Sequence, residues 1–190
     1  MALTALDPRT ALVVIDLQNG IVAMPTAEPV APIVQRAAAL AEAFRRHGRP
    51  VVLVNVAGGA PGRTEQPRRL GELPAGWTDL VPELNRQPTD HLVTKHSWGA
   101  FTATDLHDYL KSQAVTQLVI AGVSTSIGVE TTARQAYELG FNVTLAVDAM
   151  TDLRPEAHAN SIARIFPRLG ETGTAAQIIA LLDGNPPSTS

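Results

Sequence analysis

The sequence of 190 residues contains no cysteine. A chain without thiols cannot form disulfides, bind a metal through thiolates or attack a substrate with a cysteine nucleophile. Charge is also sparse: only 17% of the residues are charged, and the net charge is −3. This balance gives no reason to expect binding to nucleic acid or to an acidic membrane.

Long apolar runs and targeting signals are missing as well. The longest fully apolar run near the N-terminus, residues 11–15, is far too short to cross a bilayer, and residues 1–10 lack the apolar core of a signal peptide. We therefore expect a cytoplasmic protein. With 45% hydrophobic residues, the chain predicts one domain over residues 1–183 and a flexible tail at 184–190.

Short apolar, β-branched runs alternate with amphipathic stretches along the chain. The runs predict strands at residues 11–15, 50–56, 91–94, 118–121 and 143–147. The stretches predict helices at residues 29–47, 104–113, 128–139, 155–166 and 175–182. Because the runs are apolar throughout, the pattern favours an α/β fold whose parallel sheet is covered by helices on both faces.

Ligands bind beyond the carboxyl ends of strands in such sheets, so polar residues there are the candidates. Asp16 ends the first run and is either a general acid or base of raised pKa or an ordinary turn residue. Lys95 follows the third run and would hold Asp16 or bind an anion, unless it is a solvated loop lysine. Gln18, two residues after Asp16, is a candidate for substrate binding.

Trp98 and Phe101 are a second pair of candidates, close in sequence to Lys95. They bracket a glycine and are two of the few aromatic residues, which make up 4% of the chain. Both rings would suit an apolar substrate pocket, although they would serve equally well as core.

The segment Gly-Val-Ser-Thr-Ser-Ile-Gly at residues 122–128 follows the fourth run and opens a helix. The backbone N–H groups from Ser124 to Gly128 would bind an anion there, unless Thr125 or Ser126 is only a helix cap. The segment departs from the G-x-S-x-G nucleophile elbow because Ser126 replaces its second glycine, which argues against a serine hydrolase.

The irregular stretch at residues 57–76 is rich in glycine and proline, as functional lids often are. Its arginines, Arg63, Arg68 and Arg69, would either clamp a carboxylate or form a solvated face. The stretch does not match a phosphate-binding loop. The five histidines show no metal-ligand spacing, so neither a metal nor another cofactor is expected.

Three segments together resemble the isochorismatase-like hydrolases of the cysteine hydrolase superfamily. They are ALVVIDLQNG at 11–20, VTK at 93–95 and AGVSTSIGVETTARQA at 121–136, and the resemblance extends over residues 10–182. It implies a Rossmann-like, three-layer αβα sandwich with a six-stranded parallel sheet of order 3-2-1-4-5-6. It also implies a homo-oligomer, either a dimer or a tetramer, a small-molecule substrate and a cis peptide between Val123 and Ser124.

Typical members of that family use an Asp–Lys–Cys triad on amides and related small molecules. Asp16 and Lys95 match the first two positions, whereas the cysteine position falls on Gly128. The chain thus resembles the subgroup with glycine there, in which the aspartate protonates a substrate vinyl ether and water captures the resulting cation. We expect Asp16 and Lys95 to be catalytic, and the substrate-binding candidates are Gln18, Trp98, Phe101, Ser124, Thr125 and Gly128.

The expected substrate is a small anionic or cyclic metabolite. Isochorismate itself is disfavoured, because Ser124 and Ser126 stand where true isochorismatases carry a tyrosine and a histidine. Two alternatives remain open. One is a non-catalytic ligand-binding or interaction protein on the same fold, and the other is a cysteine enzyme whose nucleophile was replaced at Gly128 by engineering.

Overall fold

A computed structural model describes residues 3–66 and 73–184. Its centre is one sheet of six parallel strands in the order β3-β2-β1-β4-β5-β6, which confirms the predicted architecture and strand order. The strands are β1 Thr10–Ile15, β2 Val51–Val56, β3 His91–Lys95, β4 Gln117–Val123, β5 Asn142–Thr151 and β6 Glu171–Gly173.

Helices cover both faces of the sheet. They are α1 Asn19–Val22, α2 Val30–Arg46, α3 Leu106–Ser112, α4 Glu130–Glu138, α5 Pro155–Asn160, α6 Phe166–Leu169 and α7 Ala175–Leu182. A 3₁₀ turn lies at Pro82–Leu84, and π-helical turns at Thr125–Val129 and Ser161–Ile165 lead into α4 and α6. Helices α2 and α7 pack in one core layer, and α3, α4 and α6 pack in the other.

The central strand β1 shows why the apolar runs of the sequence form strands. All six of its residues are buried. Leu12 and Val14 enter the core layer of α2, while Val13 and Ile15 enter the layer of α4. Since successive side chains on a strand point to opposite faces, a sheet covered on both sides favours apolar residues at consecutive positions.

The structure differs from the sequence prediction mainly at short or irregular elements. Strand β6 has only three residues and no apolar run, and α1 has a single turn, so neither has a periodic pattern to reveal it. The predicted helix at 155–166 instead extends to Leu169 through a π-helical turn before Pro167. Proline lacks the N–H that a regular helix needs, which explains the irregular turn.

Parts of two predictions fall outside the described residues. In the predicted lid at 57–76, residues 67–72 are outside, and they include Arg68 and Arg69. Of the predicted tail at 184–190, only Gly184 is described. Across the described ranges, the helices are too short or too polar for any of them to span a bilayer.

Candidate active site

Asp16 and Lys95 meet at the carboxyl edge of the sheet. Lys95 Nζ donates to Asp16 Oδ2 at 2.8 Å and to the carbonyl oxygen of Ser97 at 3.2 Å. Asp16 directly follows β1 and Lys95 ends β3. These strands lie on either side of β2, so the lysine reaches across the end of the intervening strand. Asp16 is 5% exposed and Lys95 is 2% exposed. The result is a buried ion pair.

The pKa of the Asp16 carboxyl group is close to neutral pH. Burial raises the pKa of Asp16 from 3.8 to about 6, although the charge and hydrogen bond of Lys95 oppose this rise. Oδ1 is buried and has no hydrogen-bond partner among the described residues. Because Oδ2 accepts the lysine's hydrogen bond, the proton of the neutral acid belongs on Oδ1. Asp16 can therefore present an acidic proton to a bound molecule.

Gly128 lies directly opposite this pair. Strand β4 ends in a cis peptide between Val123 and Ser124, as expected, and the chain then enters the π-helical turn. A Cβ atom built on Gly128 would stand 3.4 Å from Asp16 Oδ2 and 2.9 Å from Ile15 Cγ2. A side chain at position 128 would therefore point at the ion pair, but a methyl group already fills much of its space.

The polar groups of the turn are largely bound within the protein. Thr125 is fully buried, and its Oγ1 lies 2.8 Å from Nδ1 of His158 on α5. The N–H of Ser126 donates to Asp152 Oδ2 at 2.7 Å. One of the N–H groups predicted to bind an anion, that of Ser126, is thus already bonded to a carboxylate of the protein. Ser124 is half-buried in the same turn.

Gln18 is fully buried and bonded to the backbone around it. Its Oε1 accepts from the N–H of Val56 at 2.7 Å, and its Nε2 donates to the carbonyl oxygens of Val56 and Trp77. Both amide hydrogens are therefore in use. Gln18 stabilises the end of β2, and its side chain is not part of the substrate-binding set that we propose.

The two aromatic candidates lie in different environments. Trp98 is 61% exposed, and its carbonyl oxygen lies 3.6 Å from the Cβ position of Gly128. The ring of Phe101 stacks on Phe141, with ring centroids 6.1 Å apart. Phe141 directly precedes β5, so it lies at the amino edge of the parallel sheet, whereas the ion pair lies at the carboxyl edge. Phe101 packs against the core, and we leave it out of the proposed site.

Several residues that support the site lie far from one another in sequence. Thr132 on α4 accepts from the N–H of Ala100 at 3.1 Å and donates to the carbonyl oxygen of Gly128 at 2.7 Å. Asp152, just after β5, and His158, on α5, each form a hydrogen bond with the π-helical turn. No local pattern identifies such partners, because they meet only when the crossover helices pack on the sheet.

Groups that hold a metal ion are not found in the described part of the chain, where no cluster of three or more His, Asp or Glu side chains occurs. Arg63 is exposed in the loop after β2.

The chain is similar to known proteins in sequence. Residues 10–177 match the model of the isochorismatase domain. The chain is 40% identical over 178 residues to YwoC, an uncharacterized isochorismatase family protein of Bacillus subtilis (strain 168), covering 90% of this chain and 93% of that protein. It is 30% identical over 172 residues to nicotinamidase 3 of Arabidopsis thaliana, covering 84% and 83%.

A solved structure is similar over nearly the whole chain. It is that of an isochorismatase family protein from Burkholderia thailandensis, with a TM-score of 0.91 and 40% sequence identity. The match covers 96% of this chain and 100% of that chain.

Proposed function

The chain belongs to the isochorismatase family, and we propose that it hydrolyses a small anionic or cyclic metabolite without a covalent thiol intermediate. The observation that carries the proposal is the buried carboxyl group of Asp16, whose pKa is raised to about 6. Its Oδ1 has no hydrogen-bond partner among residues 3–66 and 73–184, and its Oδ2 lies 3.4 Å from the Cβ position of Gly128. A group with such a pKa serves as a general acid or base near neutral pH.

The proposed reaction begins with transfer of the Oδ1 proton to the substrate, for example to the double-bond carbon of a vinyl ether. The carboxylate left behind is stabilised by the charge and hydrogen bond of Lys95. A water molecule adds to the resulting cation and returns a proton to Asp16. The hemiketal formed in this way then collapses: its C–O bond to the leaving alcohol breaks, the proton of its new hydroxyl passes to the alcohol oxygen, and a carbonyl compound is left. One water molecule is consumed, the substrate is split in two, and the protein ends in its starting protonation state.

A covalent mechanism has no nucleophile at the corresponding place. The sequence has no cysteine, and Gly128 has no side chain to attack a substrate. The contact of 2.9 Å between its Cβ position and Ile15 Cγ2 also argues against a simple replacement of cysteine by glycine. The neighbouring methyl group occupies space that a cysteine would need, so the site fits the glycine that it contains.

The remaining features of the proposal follow the family resemblance. We propose that Ser124, Thr125 and Gly128 contribute backbone to the substrate site. We also propose one domain over residues 1–183 and a homo-oligomer, a dimer or tetramer, in the cytoplasm.

A second candidate function is a ligand-binding protein without catalysis. It is favoured by the bond between Ser126 N and Asp152 Oδ2, because an N–H that already holds a carboxylate is not free to stabilise a reaction intermediate. Under this candidate, Asp16 and Lys95 would bind a ligand that leaves the site unchanged.

Turnover by the Asp16→Asn variant tests the proposal. Aryl and cyclohexadiene carboxylates and carboxamides are first screened by thermal shift, and those that bind are assayed for products. We expect Asp16→Asn to lower turnover at least about 100-fold, while Asp183→Asn, at a half-exposed aspartate bonded to His47, leaves it unchanged. Undiminished turnover by Asp16→Asn would refute the mechanism, and binding without any product would favour the ligand-binding protein.

A further inference from the structure

One hydroxyl group connects the two segments that flank the ion pair. Thr132, on α4, is fully buried, and its Oγ1 accepts a hydrogen bond from the N–H of Ala100 at 3.1 Å. The same hydroxyl donates to the carbonyl oxygen of Gly128 at 2.7 Å. Gly128 belongs to the π-helical turn that faces Asp16, whereas Ala100 belongs to the turn that follows Lys95. Thr132 therefore bonds both segments at once.

The turn at residues 97–102 has a second connection to α4. Gln135 Oε1 accepts from the N–H of Phe101 at 3.2 Å, and Gln135 Nε2 donates to Thr102 Oγ1 at 2.7 Å. Gly99 allows this close approach, because a Cβ atom built on it would stand 2.1 Å from Gln135 Oε1. Three consecutive residues of the turn are thus hydrogen-bonded to the helix.

The same turn supplies one of the two acceptors of Lys95. Lys95 Nζ donates to Asp16 Oδ2 at 2.8 Å and to the carbonyl oxygen of Ser97 at 3.2 Å. Because the Ser97 carbonyl is a backbone group, its location follows from the course of the turn. A buried ammonium group that loses an acceptor is costly and moves to regain one. Release of the turn from α4 would therefore change the geometry of the ion pair.

We propose that Thr132 is a positioning residue of the active site. Its hydroxyl fixes the turn against Gly128, the turn fixes the Ser97 carbonyl, and this carbonyl holds Lys95 Nζ on Asp16. Thr132 acts through these contacts and does not itself take part in the chemistry. The effect on the ion pair is argued from the hydrogen bonds alone, whereas the effect on turnover rests on the proposed function.

The hydroxyl also has an ordinary role, which must be separated from this one. Threonine side chains in helices often donate to the carbonyl four residues before, as Thr132 does to Gly128, and such a bond by itself affects only the helix. The hydrogen bond from Ala100 is different, because it comes from another segment. Ala100 is fully buried, and a buried N–H requires a partner.

The pKa of Asp16 provides a direct measure of the ion pair. Among the described residues, Lys95 supplies the charge and the hydrogen bond that lower this pKa, so any loosening of the pair raises it. Thr132→Val removes the hydroxyl with little change in shape. We expect it to raise the pKa of Asp16 by at least about 0.5, measured by carbon NMR of the carboxyl group, with Asp16→Asn to assign the signal. An unchanged pKa in folded Thr132→Val would overturn the proposal.

Matched variants separate this role from a general loss of stability. Thr132→Ser keeps the hydroxyl and should restore the wild-type pKa of Asp16. Thr144→Val removes another fully buried threonine hydroxyl, which accepts from Gln117 Nε2 at 3.1 Å near the amino edge of the sheet, and should leave that pKa unchanged. An equal rise in Thr144→Val would overturn the proposal. If Thr132→Val does not fold, Gln135→Ala loosens the same turn from a half-buried position, and an unchanged pKa there would also overturn it.

Turnover then distinguishes this inference from the proposed function. On a confirmed substrate, we expect Thr132→Val to lower kcat about tenfold and to change KM less than about threefold. The midpoint of its pH–rate profile should rise with the pKa of Asp16. A raised pKa with turnover undiminished in Asp16→Asn would overturn the proposed function and support the role of Thr132 in the ion pair. Turnover lost in Asp16→Asn, with the pKa unchanged in Thr132→Val, would do the opposite.

Discussion

Ile15 Cγ2 lies 2.9 Å from the point where a Cβ atom on Gly128 would stand. Cβ atoms in proteins do not pack so closely, so one of the two residues must move before any side chain fits at position 128. The residue before Asp16 therefore closes the position to which the family resemblance assigns a nucleophile. This contact leads to the first of four predictions.

Gly128→Ala is expected to destabilise the protein by about 1–3 kcal/mol, because the new methyl group overpacks against Ile15. Gly59→Ala is the control, since a Cβ on Gly59 meets no atom within 4 Å. Urea unfolding measures both. Adding Ile15→Leu, which has no Cγ2, should recover part of the loss, and a variant Gly128→Ala as stable as wild type would contradict the packing argument.

The titration of Asp16 should appear in both activity and stability. If the protonated acid reacts, kcat/KM on a confirmed substrate is constant below about pH 6 and falls about tenfold per pH unit above it, because burial raises the pKa of Asp16 to about 6. A rate that rises through the same range would mean that the ionised carboxylate acts as a base instead.

The corresponding effect on stability has the same direction. Because the folded-state pKa of Asp16 is raised from 3.8 to about 6, the folded state binds this proton more tightly than the unfolded state. The stability due to this group is complete below about pH 4 and is lost as the pH rises through about 6, with a slope of at most about 1.4 kcal/mol per unit.

Urea unfolding between pH 4 and 7 measures the free energy of unfolding of wild type and of the double variant Asp16→Asn/Lys95→Met. The difference between the two proteins gives the pH-dependent contribution of Asp16. The double variant removes both members of the ion pair and so leaves no unpaired buried charge. Parallel stability curves for the two proteins would show that the pKa of Asp16 is not raised.

Gly122→Ala should be among the most damaging single substitutions in the sheet. Gly122 has a φ of +120°, and a Cβ there would lie 2.0 Å from the carbonyl oxygen of Ile15 on the neighbouring strand. We expect a loss above about 4 kcal/mol or failure to fold. Gly140→Ala is the matched control, with a φ of +86° but open space around its Cβ position, and should cost only about 1 kcal/mol.

His158→Ala should destabilise the protein by about 1–3 kcal/mol, because it leaves the buried hydroxyl of Thr125 without its partner at 2.8 Å. Thr125→Val removes the same hydroxyl with little change in shape. A double-mutant cycle measured by urea unfolding should give a coupling of about 0.5–1.5 kcal/mol. Strictly additive effects would show that this hydrogen bond contributes nothing.

The sequence predicted the long, regular elements well, because their patterns are local consequences of burial. Strand β1 is apolar over the predicted residues 11–15 and lies in the middle of the sheet, and α7 spans the predicted residues Ala175–Leu182. Strand β6 and the single turn α1 were missed, since elements of three or four residues hold no periodic signal. Their positions depend on pairing with parts of the chain that fold beside them.

The features of the candidate site also fall into those that the sequence indicated and those that depend on the tertiary structure. The sequence by itself determined that no thiol takes part, and it indicated Asp16 and Lys95 through their positions at strand ends. Only the tertiary structure decided that these two side chains, 79 residues apart, form a buried pair at 2.8 Å. Burial and the proximity of charges set the pKa of Asp16, and both depend on atoms brought together from distant segments. For the same reason, the space at Gly128 is defined by Ile15, a neighbour in the fold but not in sequence.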